Sequence, residues 1–190
     1  MSKHQRFELL AKALFYPTQE LMDAIKEGLY SEEFGEAPVP SNLEELEVEY
    51  CRLFVGPGRV EVPPYESVYH GHDSTMQQGL VMGPVTLEVK ELYYEAGLQL
   101  AADFSDMPDH IAVETLFLAY LEAQLEQSAD EDLLKLEHRF LVNHLGKWVA
   151  PFADAVKEKS RLQWYAFISE ELKKAVQDKL ETICRKNPVC

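Results

Sequence analysis

Apolar positions recur along this chain at three- and four-residue intervals, the spacing of helices that bury one face. Phe7, Leu10, Ala11 and Leu14 form one stripe, and Tyr16-Pro17 stops it, because a proline pushes the preceding residue out of helical geometry. Thr18 suits the N-cap of a second helix carrying Leu21, Ile25 and Leu29. Residues 31–40 turn to Glu, Gly and Pro and read as a loop. Ser41 and Glu44 have the spacing of a capping box, opening a helix with Leu43, Leu46, Tyr50 and Leu53 that Gly56-Pro57-Gly58 must end.

Residues 55–83 show no helical period and are interrupted at Pro63-Pro64, Gly71, Gly79 and Gly83. Tyr65 and Tyr69 predict that this loop is ordered and packed on the domain. Pro84 marks the first turn of a next helix that Gly97 stops, and Pro108 is placed in the first turn of a strongly apolar one with Val113, Leu116, Phe117, Tyr120, Leu121 and Leu125. A helix over about 131–145 follows, its pattern continuing past Gly146 through Trp148, Val149 and Phe152, and the last carries Tyr165 to Ile183. Period-two alternation is scarce, Val60 to Val62 being the best candidate strand. The fold expected is all-α: one globular bundle of about seven to nine helices over residues 1–190, with one long ordered loop at 55–83.

Composition narrows the function. At 46% hydrophobic and 11% aromatic the chain can fill a core and is no disordered tail. Its 18 basic and 33 acidic residues leave a net charge of −15, which excludes duplex nucleic acid and anionic membrane as partners. A basic partner and plain solubility both account for that charge. Residues 18–49 alone carry −9, ten carboxylates against Lys26, and such a run either solvates a face or steers a cationic partner. Cys51, Cys184 and Cys190 form neither a disulfide framework nor a zinc motif. Residues 1–16 lack the features of a secretory signal and no run of 18 apolar residues exists, so a cytoplasmic address without membrane insertion is expected.

Catalytic signatures are mostly absent. Gly56-Pro57-Gly58 lacks the lysine of a phosphate loop, and Trp148 stands where Gly146-Lys147 would need Ser or Thr. His70, His72 and Asp73 are too few to make a metal site, so no metal and no cofactor are expected. His138 and His144, six apart, share no helix face and read as surface or hydrogen-bonded residues. Asp109 in a first helical turn is explained by the helix dipole, whereas a histidinium at His110 is not, so a neutral imidazole beside a carboxylate is expected there. Glu114 lies one turn on. Asp109, His110 and Glu114 then form a polar edge, which residue chemistry alone assigns to solvent exposure ahead of peptide recognition, with a small nucleotide-binding protein or hydrolase as the enzymatic alternative.

Three ordered segments carry a resemblance: Tyr50-Cys51-Arg52-Leu53-Phe54-Val55-Gly56-Pro57-Gly58, then Pro63-Pro64-Tyr65-Glu66-Ser67-Val68-Tyr69, then Pro108-Asp109-His110-Ile111 with Glu114 and Phe117-Leu118. With a less distinctive tail from Phe140 to Tyr165, the chain resembles the TorD/DmsD/NarJ family of redox-enzyme maturation chaperones. The resemblance implies an all-helical cytosolic chaperone without enzymatic activity. It would bind the twin-arginine leader, or the body, of a molybdopterin-containing apoenzyme and hold it until the cofactor is inserted. By motif position, Tyr65, Glu66, Ser67, Pro108, Asp109 and His110 would bind the leader, and Glu114 joins them from the same helix face. Some members carry tryptophan where Tyr65 stands. A twin-arginine leader needs carboxylates and an apolar groove, which an acidic helical protein supplies. Monomer and homodimer are both compatible with the resemblance.

Overall fold

The computed structural model describes residues 1–57, 60–70, 83–101, 104, 106–128 and 130–186. Ten α-helices occur among them: α1 Lys3–Leu14, α2 Gln19–Lys26, α3 Leu29–Phe34, α4 Leu43–Tyr50, α5 Glu66–Tyr69, α6 Pro84–Glu95, α7 Ile111–Gln127, α8 Glu131–Asn143, α9 Leu145–Lys159 and α10 Gln163–Lys186. A π-helical turn, Cys51–Val55, extends α4. The all-α expectation holds; the ten helices exceed the expected seven to nine by one, and the short α3 and α5 are the two the hydrophobic pattern did not mark. Helix α7 lies along α1, α9 lies along α10, and their inner faces meet in one continuous core. Trp148, Trp164, Phe140 and Phe152 are fully buried there, and truncating any of these aromatics would cost about 3–5 kcal/mol.

Local chemistry explains most element ends. Thr18 caps α2 as expected, accepting the Leu21 N–H at 3.3 Å. Pro84 opens α6 without a lost hydrogen bond, because the first-turn N–H it lacks has no partner within a helix. The α4 cap sits one residue later than the sequence suggests: Asn42 Oδ1 accepts the Glu45 N–H at 2.9 Å, while Ser41 gives its own N–H to Glu45 Oε2 at 2.6 Å. Val60–Val62 forms no strand; the Val62 N–H instead donates to Leu53 O in the π-helical turn at 2.9 Å.

The apolar run through residue 152 is broken at His144, whose φ of −123° and ψ of −103° separate α8 from α9. Gly146 makes that junction possible. A Cβ there would overlap the backbone oxygen of Leu141 and come within 2.7 Å of Leu180 Cδ1 on α10. Among the described residues no helix is long and apolar enough to cross a membrane, and no group of three or more His, Cys, Asp or Glu side chains is placed to hold a metal. His72 and Asp73 lie outside the described residues. Cys51 and Cys184 are free thiols.

Candidate functional site

Two segments far apart in sequence are joined into one corner. Ile111 gives its N–H to Pro64 O at 2.8 Å, Glu66 gives its N–H to Asp109 O at 2.9 Å, and Tyr65 and His110 pair as an isolated antiparallel bridge. Helix α5 has no side-chain cap of its own, and the Asp109 carboxylate supplies one from the other segment: Oδ2 accepts the Ser67 N–H at 3.0 Å. From α6, the Tyr93 hydroxyl donates to Pro108 O at 2.8 Å and fixes the turn from outside.

Pro108 and Asp109 form a turn ahead of α7, not its first helical residues, which corrects the expected placement. The N-cap is His110, whose Nδ1 accepts the Ala112 N–H at 3.1 Å. An accepting Nδ1 requires a neutral ring with its proton on Nε2. Burial also pushes the imidazole pKa down, against the opposing charges of Asp106 and Asp109. The neutral histidine expected from sequence is therefore present, in the role of a cap. Its ring stacks on Phe15 with centroids 6.1 Å apart and meets the edge of Tyr65 at 5.5 Å.

Behind the corner lies a buried polar chain. His144 Nδ1 stands 3.1 Å from both carboxylate oxygens of Glu66, and His70 Nε2 stands 2.7 Å from Oε1. Burial opposes ionisation of Glu66, but the two imidazoles outweigh it and hold its carboxyl below the usual range. Glu114, fully buried, behaves oppositely. Burial, then the charge of Glu66, drives its pKa well above the ordinary value, although the Trp148 indole N–H donates to Oε2 at 3.0 Å. Among the described residues no N–H donor reaches its Oε1, so a proton on Glu114 shared toward Glu66 satisfies both groups. Trp148 also packs against Tyr69 of α5 at 5.3 Å, so the chain binds α5, α7 and the α8–α9 junction together.

The sequence expectation that Asp109, His110 and Glu114 form a solvent-exposed edge is overturned. The three side chains are 0%, 1% and 0% exposed, because the 64–70 segment folds over them. Glu66 and Pro108 are buried too, whereas Tyr65 and Ser67 are half-buried and reach the surface. His144 is hydrogen-bonded to Glu66 and buried, the second of the two readings the sequence left open for it. Asp106 was also missed. Its Oδ1 accepts the Tyr65 hydroxyl at 2.9 Å and the Met107 N–H at 2.8 Å, and it lies three residues before Asp109, within a polar turn that sequence offered no reason to single out.

The acidic run is mostly at the surface, with one exception. Glu49 is buried and accepts Arg52 Nε at 2.8 Å and the Arg161 N–H at 2.5 Å, so it fixes the turn between α9 and α10. Glu20, Asp23, Glu27, Glu32, Glu36, Glu44 and Glu45 are exposed.

Comparison with known proteins agrees with this architecture. A family profile described as the nitrate reductase delta subunit matches residues 10–154. The chaperone protein TorD of Shewanella loihica is 29% identical over 167 residues, covering 85% of this chain and 76% of that protein. A TorD of Vibrio cholerae is 32% identical over 114 residues, covering 58% of this chain and 49% of its own length. A crystal structure from Archaeoglobus fulgidus, described as a redox enzyme maturation protein, superposes with a TM-score of 0.64 at 27% identity, covering 92% of this chain and 93% of that one.

Proposed function

We propose, on the footing that this chain belongs to the nitrate reductase delta subunit family, to which the NarJ and TorD proteins also belong, that it binds the arginine-bearing leader of a redox-enzyme apoprotein. It is a maturation chaperone and not an enzyme, as its relatives are named. The client is a molybdopterin-containing catalytic subunit, met in the cytoplasm and held until its cofactor is in place.

The observation that carries the leader reading is the corner built by Tyr65 and His110. It brings the two motifs together and sets the half-buried rings of Phe15 and Tyr65 against His110, on a protein of net charge −15. Phe15 and Tyr16 also line a groove between α1 and α2–α3 with Leu9, Leu21, Leu29 and Tyr30, and with Lys12, Thr18 and Glu20 among its polar lining. In this reading Tyr65 and Ser67 face the leader. Glu66, Pro108, Asp109, His110 and Glu114 act from beneath, by holding α5 and the turn in place. The exposed carboxylates of residues 18–49 raise the encounter rate, and of them Glu20 also lines the groove.

Isothermal titration of a synthetic twin-arginine leader into the protein tests the reading. Saturable binding that weakens with added salt is expected, together with weaker binding of a leader of the same composition in scrambled order. Equal heats from the native and scrambled peptides would overturn it.

A further inference from the structure

Among the described residues, Asp106 is the carboxylate at this corner that a ligand can reach. Its side chain is 36% exposed, whereas Asp109, Glu66 and Glu114 are sealed. Its two oxygens are unlike. Oδ1 is filled, with two donors for its two lone pairs, the Tyr65 hydroxyl and the Met107 N–H. Among the described residues Oδ2 has only His110 Nε2 near it, at 3.8 Å, which is beyond hydrogen-bond range.

Among the described residues no lysine or arginine pairs with Asp106. His110 offers no compensating positive charge, because its Nδ1 is committed as an acceptor to the Ala112 N–H. The carboxylate is also held in place: Tyr65, whose ring edge rests on His110, anchors it from the side, and Phe15 backs His110 from beneath. A fixed, unneutralised carboxylate oxygen beside aromatic rings is what a guanidinium seeks, since its N–H groups pair with the oxygen while its flat face rests on a ring.

We propose that Asp106 receives an arginine guanidinium of the client's leader at Oδ2, with the Tyr65 ring alongside. The proposal rests on the leader reading above and adds to it the residue that distinguishes arginine from other side chains. It also explains why the corner is built on a neutral histidine: a histidinium at His110 would compete for the same carboxylate.

The test uses three synthetic leaders with the same apolar segment and paired arginine, paired lysine or paired citrulline at its start. Each is titrated into the wild-type chain and into Asp106→Asn, which keeps an oxygen for the Tyr65 hydroxyl and the Met107 N–H. The wild type is expected to bind the arginine leader about tenfold more tightly than the citrulline one, the scale of one charge-assisted hydrogen bond, and to prefer arginine over lysine. In Asp106→Asn both preferences are expected to fall to about twofold or less while the helical spectrum is unchanged. An Asn variant that retains the full arginine preference overturns the proposal, as does a wild type that binds all three leaders equally; in either case leader binding itself still stands. A wild type that binds none of the three removes the leader reading, and the proposal with it.

Discussion

The Asp109 carboxylate caps α5, a helix that lies before it in the chain, by accepting the Ser67 N–H at 3.0 Å. The residue immediately following it, His110, caps α7. Adjacent side chains thus start two different helices, and the Pro108-Asp109-His110 motif is the knot between them.

Replacing Asp109 by alanine is therefore expected to act on α5. Losing a hydrogen bond to a charged acceptor costs about 1.5–3 kcal/mol of stability, and Asp109→Asn, which keeps an acceptor, costs less. The Ser67 amide is expected to lose hydrogen-exchange protection in Asp109→Ala while α9 and α10 keep theirs. Unchanged Ser67 protection would place the role of Asp109 elsewhere.

Glu114 predicts a pH dependence with a definite sign. Its folded pKa lies above its unfolded one, so the folded state binds more protons in the window between them, and stability falls as pH rises through it. Loss of the proton leaves Glu114 and Glu66 as two buried like charges. Glu66, held low by His144 and His70, contributes the reverse: stability present above the ordinary carboxylate range and lost as pH falls. Glu114→Gln keeps a donor toward Glu66 at every pH, so its unfolding midpoint is expected to gain on the wild type as pH rises above the ordinary carboxylate range. A difference that shrinks with rising pH would contradict the proton on Glu114.

A second buried charge cluster holds the far end of the bundle. Lys179 on α10 bridges Glu122 on α7 and Glu137 on α8, the latter at 3.0 Å, and all three are buried or nearly so. Burial alone would lower the lysine pKa, but its hydrogen bonds and the two carboxylate charges raise it. Lys179→Ala strands two carboxylates and is expected to cost about 3–5 kcal/mol in denaturant unfolding. Adding Glu122→Gln and Glu137→Gln is expected to restore much of that loss. Stability no better in the triple variant would show that the lysine acts through packing.

Gly146→Ala is expected to destabilise by about 1–3 kcal/mol through overpacking at the α8–α9 junction. Shortening Leu180 to alanine in the same chain relieves only part of this, because the Leu141 backbone oxygen cannot move aside. Full rescue by Leu180→Ala would assign the strain to α10 alone.

The helices were legible because burial leaves a periodic trace: the stripes from Phe7 to Leu14 and from Val113 to Leu125 need no partner to be recognised. Caps were legible where one residue decides them, as at Thr18 and Pro84, and slipped by one position at Asn42, where two adjacent polar residues, Ser41 and Asn42, compete. The site was legible as a set of motifs and illegible as a geometry. Nothing local says that Pro64 pairs with Ile111, and without that fold-over Asp109, His110 and Glu114 read as a wet edge instead of a sealed one. Asp106 was missed, and the partner of His144 was illegible, for the same reason: each gains its meaning from a residue more than 40 positions away in the chain, Tyr65 for one and Glu66 for the other.

Leader binding by the Tyr65→Ala variant is the most direct measurement of recognition at the Tyr65–His110 corner. The substitution removes the reachable ring and the hydroxyl that anchors Asp106, while the backbone pairing with His110 and the Asp109 cap on α5 do not depend on the side chain. Titration with a twin-arginine leader is expected to show affinity reduced about tenfold or more, with helical content and unfolding midpoint close to wild type. Wild-type affinity in a folded Tyr65→Ala protein would mean that the leader, if bound, is recognised on another face.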